Sequence, residues 1–527
     1  MSSNSAAQFV TVTVAAVAVL LPALLTAQPK NGALADWPIA GQNLTNSWDQ
    51  PAEHQISTAN VSHLAPKWIF TTGGDVSATP TVGGGAVYFP DWAGNLFAVS
   101  AKTGKQIWSR MISTYNNQAG SMSRVSPAIF QNELIIGDNV IHSVAHNGAH
   151  VMAVDRNSGQ LLWITQVDSH PAAIITGSPV FNGNIVYVGV SSVEEGLATN
   201  PNYPCCTFRG SIVALNAFTG AIVWKTFTVP DNGGQTGGYS GGAVWQPPAI
   251  DPTRGLLYIG TGNNYTVPDS VLNCEKTNPE ASCTAPDDHF ETALALDLNT
   301  GAVKWATGVS KFDAWTVACL SSPTATNCPQ PSGPDFDLGG SGPNLIGNII
   351  GFGQKGGIYW AMNADNGNII WATQVGPGSV LGGIEWGTAT DGTRIYAAIT
   401  NFNHVSYQLQ PNGPTVTSGS WAALDVKTGK FIWQIADPRA SIDPQHAIDM
   451  GSLSVANGVL YAPSFTGFVY GIDAATGKVL FQFDTGGSVI DGPSIAGGTV
   501  YWASGYRHIA PLGIGNNKVF ALSLSDQ

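Results

Sequence analysis

A twelve-residue pattern recurs along this chain and restricts its fold more than any other feature. It reads FAVSAKTGKQIW up to Trp108, MAVDRNSGQLLW up to Trp163, VALNAFTGAIVW up to Trp224 and LALDLNTGAVKW up to Trp305. WAMNADNGNIIW up to Trp371, AALDVKTGKFIW up to Trp433 and YGIDAATGKVLF up to Phe481 follow, and a truncated copy, VFALSLSDQ, closes the chain. In each copy an alternating apolar strand enters a polar turn whose Gly supplies a positive φ, and a second strand ends on a large ring. That is a β-hairpin. Each hairpin follows another strand pair, such as PTVGGGAVYFP, PVFNGNIVYVG or LSVANGVLYAP. Four strands per unit make a propeller blade. The repeat glycines stand roughly 50–80 residues apart, more than a minimal blade needs, so loops are inserted. Seven full copies and a terminal partial one predict an all-β, eight-bladed propeller over residues 36–527. The C-terminal strands are expected to complete a blade begun near the N-terminus, which leaves no open edge. The ring at the end of each unit is expected to pack between neighbouring blades.

Composition agrees with short strands and many turns. The 527 residues include 62 Gly and 32 Pro, and only 10% are charged, which leaves little material for long Glu/Lys/Leu helices. The net charge of −13 and the lack of any basic run exclude nucleic acid as a partner, since its phosphates demand clustered Lys and Arg. An apolar stretch over residues 9–25, followed by small residues, predicts a secretory signal over residues 1–27; with no Lys or Arg before it, an uncleaved N-terminal anchor is the alternative. No other segment could span a bilayer. The cysteines at 205, 206, 274, 283, 319 and 328 include two short spacings, NCEKTNPEASC and ACLSSPTATNC, that predict small disulfide-closed loops and a periplasmic or secreted location. There is no Cys-x2-Cys pair for zinc, and no Cys-x-x-Cys-His for covalent haem.

The A-x-D-x-x-T-G-x-x-x-W unit resembles the tryptophan-docking motif of quinoprotein alcohol dehydrogenases, which hold pyrroloquinoline quinone in an eight-bladed propeller. The resemblance covers nearly all of the chain after Asp36. Related propellers serve as non-catalytic binding scaffolds, so the repeat alone leaves enzyme and extracytoplasmic scaffold both open. The site residues must decide. In VGVSSVEEG, the family pattern G-x-S-x-x-E-x-G implies that Glu194 ligates a metal, that Ser191, Ser192 and Val193 adjoin the quinone, and that Glu195 is not a ligand. Thr176 in TGSP matches a threonine that bonds the quinone. Trp245, six residues before Asp251, matches the indole floor beneath the planar cofactor. Asn263 in GTGNN matches an amide ligand, and an oxygen set of this kind suits Ca²⁺ or a lanthanide rather than zinc.

The family typically places its base directly after a Trp, but DAWTVACL has Thr316 there. GPDFDLGGSGPNLIGN fits the family's D-x-D pattern instead, with residues 316–334 as an insertion. The resemblance then implies Asp335 as general base and metal neighbour, and Asp337 as the additional carboxylate of lanthanide-dependent and some calcium-dependent members. Asp313 is the alternative base. Lys355 in GQKGGIYW matches the cation near the quinone oxygens, and Arg124 in SRVSPAIF the partner of a quinone carboxylate. Glu385 and Trp386 in GGIEWG replace an Asn-Trp pair, and Ser77 stands where many members have Glu. Two readings are open for Cys205 and Cys206: a vicinal disulfide covering the cofactor face opposite Trp245, or a stiffened surface turn. The inserts GPDFDLG, GGIEWG and YPCCTFRGS are similar to those of polyvinyl-alcohol dehydrogenases. They imply oxidation of a secondary alcohol, small or polymeric, with electrons passed to a separate cytochrome c-type acceptor.

Overall fold

In a computed structural model of the protein, residues 1–2, 36–140, 147–509 and 511–525 are described, and the expected leader over residues 1–27 lies, beyond its first two residues, outside them. Among the described residues, eight blade sheets follow one another along the chain, seven of four strands and one carrying an extra short strand, and three two-stranded ribbons lie in the loops. The first blade runs Thr81–Gly83, Ala86–Pro90, Asn95–Ser100 and Gln106–Met111 in spatial order. Six further blades repeat this meander over residues 128–168, 180–227, 249–308, 344–374, 389–436 and 454–484. Burial falls across each blade. In the first, the opening two strands are wholly buried while Gln106–Met111 exposes half its residues or more to partial solvent contact. The opening strands thus gather on the inner side of the ring, and the fourth strands form its rim.

The eighth blade is split between the chain ends. Ser494–Ala496, Thr499–Ser504 and Lys518–Leu524 are completed by Leu64–Thr71, which pairs antiparallel with Lys518–Leu524. The expected closure is therefore present, and it reveals a ring that the linear pattern hides. Trp68 faces Ala521 in the same register in which Ala98 faces Trp108 and Ala295 faces Trp305. The truncated terminal copy is whole once the N-terminal strand supplies its tryptophan. Each ring also falls within its strand rather than at the strand's end, because the pattern stops at its last recurrent residue while the backbone ladder continues.

The reason for the repeat is visible at seven of the eight joints, the eighth having Phe481 in place of a tryptophan. The indole N–H groups of Trp68, Trp108, Trp163, Trp224, Trp305, Trp371 and Trp433 each donate to a carbonyl in the next blade at 2.8 to 3.1 Å. Each of these rings lies against the repeat glycine of that next blade. A Cβ on Gly104, Gly159, Gly220, Gly301, Gly367, Gly429 or Gly477 would stand 2.4 to 2.8 Å from ring atoms, and all seven have φ between +67° and +76°. The turn thus needs glycine twice, for conformation and for close approach. A buried indole removes about 150–250 Å² from water, an upper bound of about 4–6 kcal/mol of transfer free energy per joint.

Candidate active site

A cavity of about 290 Å³ opens where loops from several blades meet. Its floor is the indole of Trp245, which lies against Gly339 and Gly340: a Cβ on either would come within 3.1 or 3.3 Å of the ring. Trp386 meets the floor edge-on, with centroids 5.2 Å apart. Lys355 Nζ stands 5.5 Å from the Trp245 centroid. A flat aromatic surface with a fixed cation beside it is suited to a planar, electron-poor, anionic ligand.

The strand Ile185–Ser192 ends at one wall. Its Ser191 Oγ lies 2.7 Å from Thr176 Oγ1, and both residues line the cavity with Ser192 and Val193. Arg124 stacks among Trp386, Trp92 and Tyr506, at 4.6, 5.5 and 5.7 Å from the ring centroids. Its guanidinium is desolvated by rings and lies at the cavity, a setting that favours a carboxylate ligand. Ser77 accepts the Trp92 indole N–H at 2.8 Å and lines a smaller recess that Arg124 and Trp386 share.

The carboxylates form a connected group. Lys355 bridges Asp335, at 3.1 Å, and Asp337, at 2.8 Å. The other oxygen of Asp337 accepts the backbone N–H of Asn263 at 2.6 Å. The Asn263 amide donates to the carbonyls of Asn264 and Trp315, both at 2.9 Å, which leaves its Oδ1 as the acceptor for a ligand. Burial disfavours the charge on Lys355, yet Asp335 and Asp337 raise its pKa well above the ordinary lysine value. Burial also raises Asp335 well above the carboxylate range; Lys355 opposes this, while Asp337 and Glu195 add to it. Glu195 is pushed up to about 8 and Glu385 to about 7, in both cases by burial first, with Lys355 opposing.

Most of the residues singled out from the sequence come together here: Arg124, Thr176, Ser191, Ser192, Val193, Trp245, Asn263, Asp337, Lys355, Glu385 and Trp386 all line the cavity. Three placements differ. Glu194 does not line the cavity, and Glu195, its neighbour, does. The Glu194 carboxylate is fully buried and turned into its own loop, where it accepts the N–H groups of Thr207 and Phe208. The motif register singles out Glu194, but a tight helical turn over Glu194–Leu197 sends adjacent side chains in different directions. Asp335 is packed behind Lys355 rather than in the wall, at a φ of +61°. Cys205 and Cys206 form a disulfide but do not line the cavity; Cys206 is packed into the core.

The alternative base, Asp313, holds the loop: its oxygens accept the N–H groups of Asp335 and Phe336 at 3.1 and 2.8 Å. Thr316 donates to the Asn327 carbonyl, anchoring the insertion. Sequence reading missed Glu195, Tyr265, Met450, Tyr506 and His508 in the lining. Tyr265 had a usable signal, since it follows Asn263 by two residues, in the strand Asn264–Thr266. Tyr506 and His508 lie in a loop of the split blade with no motif around them.

The lining also bears on a cofactor and cation. Buried atoms without a protein hydrogen-bond partner include Glu195 Oε1, Glu385 Oε2 and Trp386 Nε1, all from cavity residues. Glu195, Asp337 and Glu385 bring oxygen donors suited to a hard cation. Among the described residues no three His, Cys, Asp or Glu side chains form a complete metal cage, so a cation here would draw on the Asn263 oxygen and on the ligand itself.

The fold and this site define a class: an eight-bladed quinoprotein dehydrogenase propeller. Residues 165–335 match the family model for the glucose/ethanol/alcohol dehydrogenase β-propeller domain, and residues 53–203 and 417–526 match that for the outer membrane protein assembly factor BamB. The quinohemoprotein alcohol dehydrogenase of Comamonas testosteroni superposes with a TM-score of 0.68 at 18% identity, covering 94% of this chain and 81% of that one. A polyvinylalcohol dehydrogenase from a Pseudomonas species is 32% identical over 506 residues, 89% of this chain and 73% of the relative. That of Sphingopyxis sp. strain 113P3 is 32% identical over 519 residues, with the same coverage. The chain belongs to the pyrroloquinoline-quinone-dependent alcohol dehydrogenases, in the group that contains these polyvinylalcohol dehydrogenases.

Proposed function

We propose that the protein oxidises secondary alcohols, on small molecules or on a polyvinyl-alcohol-like chain, with pyrroloquinoline quinone and Ca²⁺ or a lanthanide held in the cavity. The observation that carries this is the Trp245 floor with Lys355 beside it and unpartnered acidic oxygens around it. Trp245 would hold the flat face of the cofactor, while Arg124, Thr176 and Ser191 would take its carboxylates. Glu195, Asn263 and Asp337 would hold the cation. When bound, the quinone supplies the two-electron acceptor and the cation supplies Lewis acidity.

The chain's own groups do the rest. Lys355 fixes a positive charge beside the place where negative charge develops, and it is preorganised by two carboxylates. Asp335 stands behind the wall, so it acts through the group it bonds: Lys355 Nζ, in the lining and 3.1 Å from Asp335, takes the proton of the substrate hydroxyl as it passes one of its own back to the Asp335 carboxylate. Leu381, Met450 and Ile509 give the cavity an apolar portion for the carbon chain of the alcohol. Electrons would then pass to a cytochrome c-type carrier. Disulfides at 205–206, 274–283 and 319–328 support a periplasmic or secreted location. Among the described residues no helix is long and apolar enough to cross a membrane.

The test is reconstitution with pyrroloquinoline quinone and either Ca²⁺ or a light lanthanide. Dye reduction should then depend on added 2-propanol or polyvinyl alcohol oligomers. Failure to bind quinone with either cation would overturn the proposal. Asp335→Asn should keep cation and quinone binding while losing turnover, whereas Asp337→Asn should lose cation affinity.

A further inference from the structure

The Glu194 carboxylate is a polar group built into the protein with unusual care. It is fully buried. One oxygen accepts the Thr207 N–H at 2.9 Å and the Tyr203 hydroxyl at 3.1 Å, and the other accepts the Phe208 N–H at 2.8 Å. His170 Nδ1 accepts the Ala172 N–H at 3.1 Å, so its Nε2 carries the proton and faces Thr207 Oγ1 at 2.9 Å and Glu194 at 3.6 Å. None of these groups lines the active-site cavity. The donors at Thr207 and Phe208 immediately follow the Cys205–Cys206 disulfide, and Cys206 is wholly buried. On the far side, the Asn327 amide donates to the carbonyls of Ala198, Asn200 and Tyr203 at 3.0, 3.0 and 3.3 Å, and the Val317 N–H donates to the Glu195 carbonyl at 3.2 Å. Asn327 adjoins Cys328, in the loop that the Cys319–Cys328 disulfide closes.

We propose that Glu194 is a positioning residue and that the vicinal disulfide serves it: together they lock residues 194–208 so that the Glu195 carboxylate is held toward the cavity. Glu195 follows Glu194 directly, so its Cα cannot shift while the Glu194 side chain is pinned. Its own buried Oε1 has no protein partner to hold it in place. A carboxylate pinned by N–H groups from two successive residues needs those two amides kept parallel, and a covalent bridge between the two residues just before them restricts the backbone that presents them. The paired glutamates and the paired cysteines are then one device. One glutamate faces the ligand, the other anchors it, and the cysteines hold the anchor.

This inference rests on the reading of Glu195 as a cation ligand, and the test separates the two. Tb³⁺ is titrated into the full chain without quinone, read by calorimetry and by tryptophan-sensitised Tb³⁺ luminescence, with circular dichroism confirming the fold. Wild type should bind, and Glu195→Gln should lose affinity by 30-fold or more, about 2 kcal/mol. Glu194→Gln, which keeps the shape but replaces an acceptor oxygen by an amide donor, should weaken Tb³⁺ by about tenfold with native circular dichroism. The double variant Cys205→Ser/Cys206→Ser should do the same. Tyr203→Phe, which removes only one donor, should cost about threefold and serves if the stronger variants fail to fold. Wild-type affinity in Glu194→Gln, or in Tyr203→Phe should Glu194→Gln not fold, overturns the anchoring role. Wild-type affinity in the double cysteine variant alone overturns the part given to the disulfide. No binding by wild type, or wild-type affinity in Glu195→Gln, overturns the cation reading beneath them.

Discussion

Lys355 shows how a single charge can organise a site. It is buried between two carboxylates and beside an indole, and none of these neighbours is close to it in sequence. Lys355→Met should lower turnover by about 10²- to 10³-fold, measured as dye reduction by the reconstituted enzyme. Quinone retention, followed by absorbance, should suffer far less, because Trp245 and Arg124 remain. A second residue makes a pH prediction away from the cavity. Asp288 is buried, one oxygen accepts the Asn264 amide at 2.8 Å, and burial pushes its carboxyl up to about 7. A raised carboxyl pKa means that the folded state binds the proton more tightly than the unfolded one. Its contribution to stability is full below the unfolded value near 3.8 and is lost as pH rises toward 7. Asp288→Asn should therefore be more stable than wild type at pH 8, by about 2–4 kcal/mol, and close to it at pH 4. Urea titrations across that range measure the difference.

At the scale of the element, the hairpin repeat is a joint as much as a strand pair. Gly301 has a φ of +70°, and its Cβ would stand 2.5 Å from the Trp224 ring. Gly301→Ala should destabilise by about 2–4 kcal/mol, the sum of a left-handed conformation and overpacking, seen as a lower urea midpoint with unchanged slope. The loops between hairpins follow a different rule. Residues 316–334 read as an insertion because the D-x-D pattern resumes after them, and Asp337 beyond them meets Lys355 at 2.8 Å. The one-residue offset between Glu194 and Glu195 was not legible, because a four-residue helix over Glu194–Leu197 decides which carboxylate turns inward. Local spacing pointed to Glu194, and the hydrogen bonds that turn its carboxylate into its own loop come from Thr207 and Phe208, outside the motif.

On the scale of the whole molecule, the ring closes through a strand from the opposite end of the chain. Trp68 is the docking residue of that closure, donating to the Ala101 carbonyl at 3.0 Å. Trp68→Ala should cost about 3–5 kcal/mol, as a buried aromatic does, and should also free Leu64–Thr71 from its place on the split blade. The uncovered strand Lys518–Leu524 then presents an open edge, so size-exclusion chromatography should show self-association that Trp305→Ala, in an unsplit blade, does not.

The sequence by itself determined the repeat, the number of blades, the closure between the chain ends and most of the cavity wall. These follow from periodicity and from motifs whose residues lie close together in the chain. Tertiary structure alone decided that Trp68 completes the last repeat, that Tyr506 and His508 reach the cavity, and that Asp335 stands behind Lys355. It also decided that Glu195 faces inward while Glu194 and the cysteine pair do not. The physical reason is the same in each case. Pattern reports which residues share a strand face, but the direction of a side chain in a loop depends on hydrogen bonds from distant segments, such as those Thr207, Phe208 and Asn327 supply.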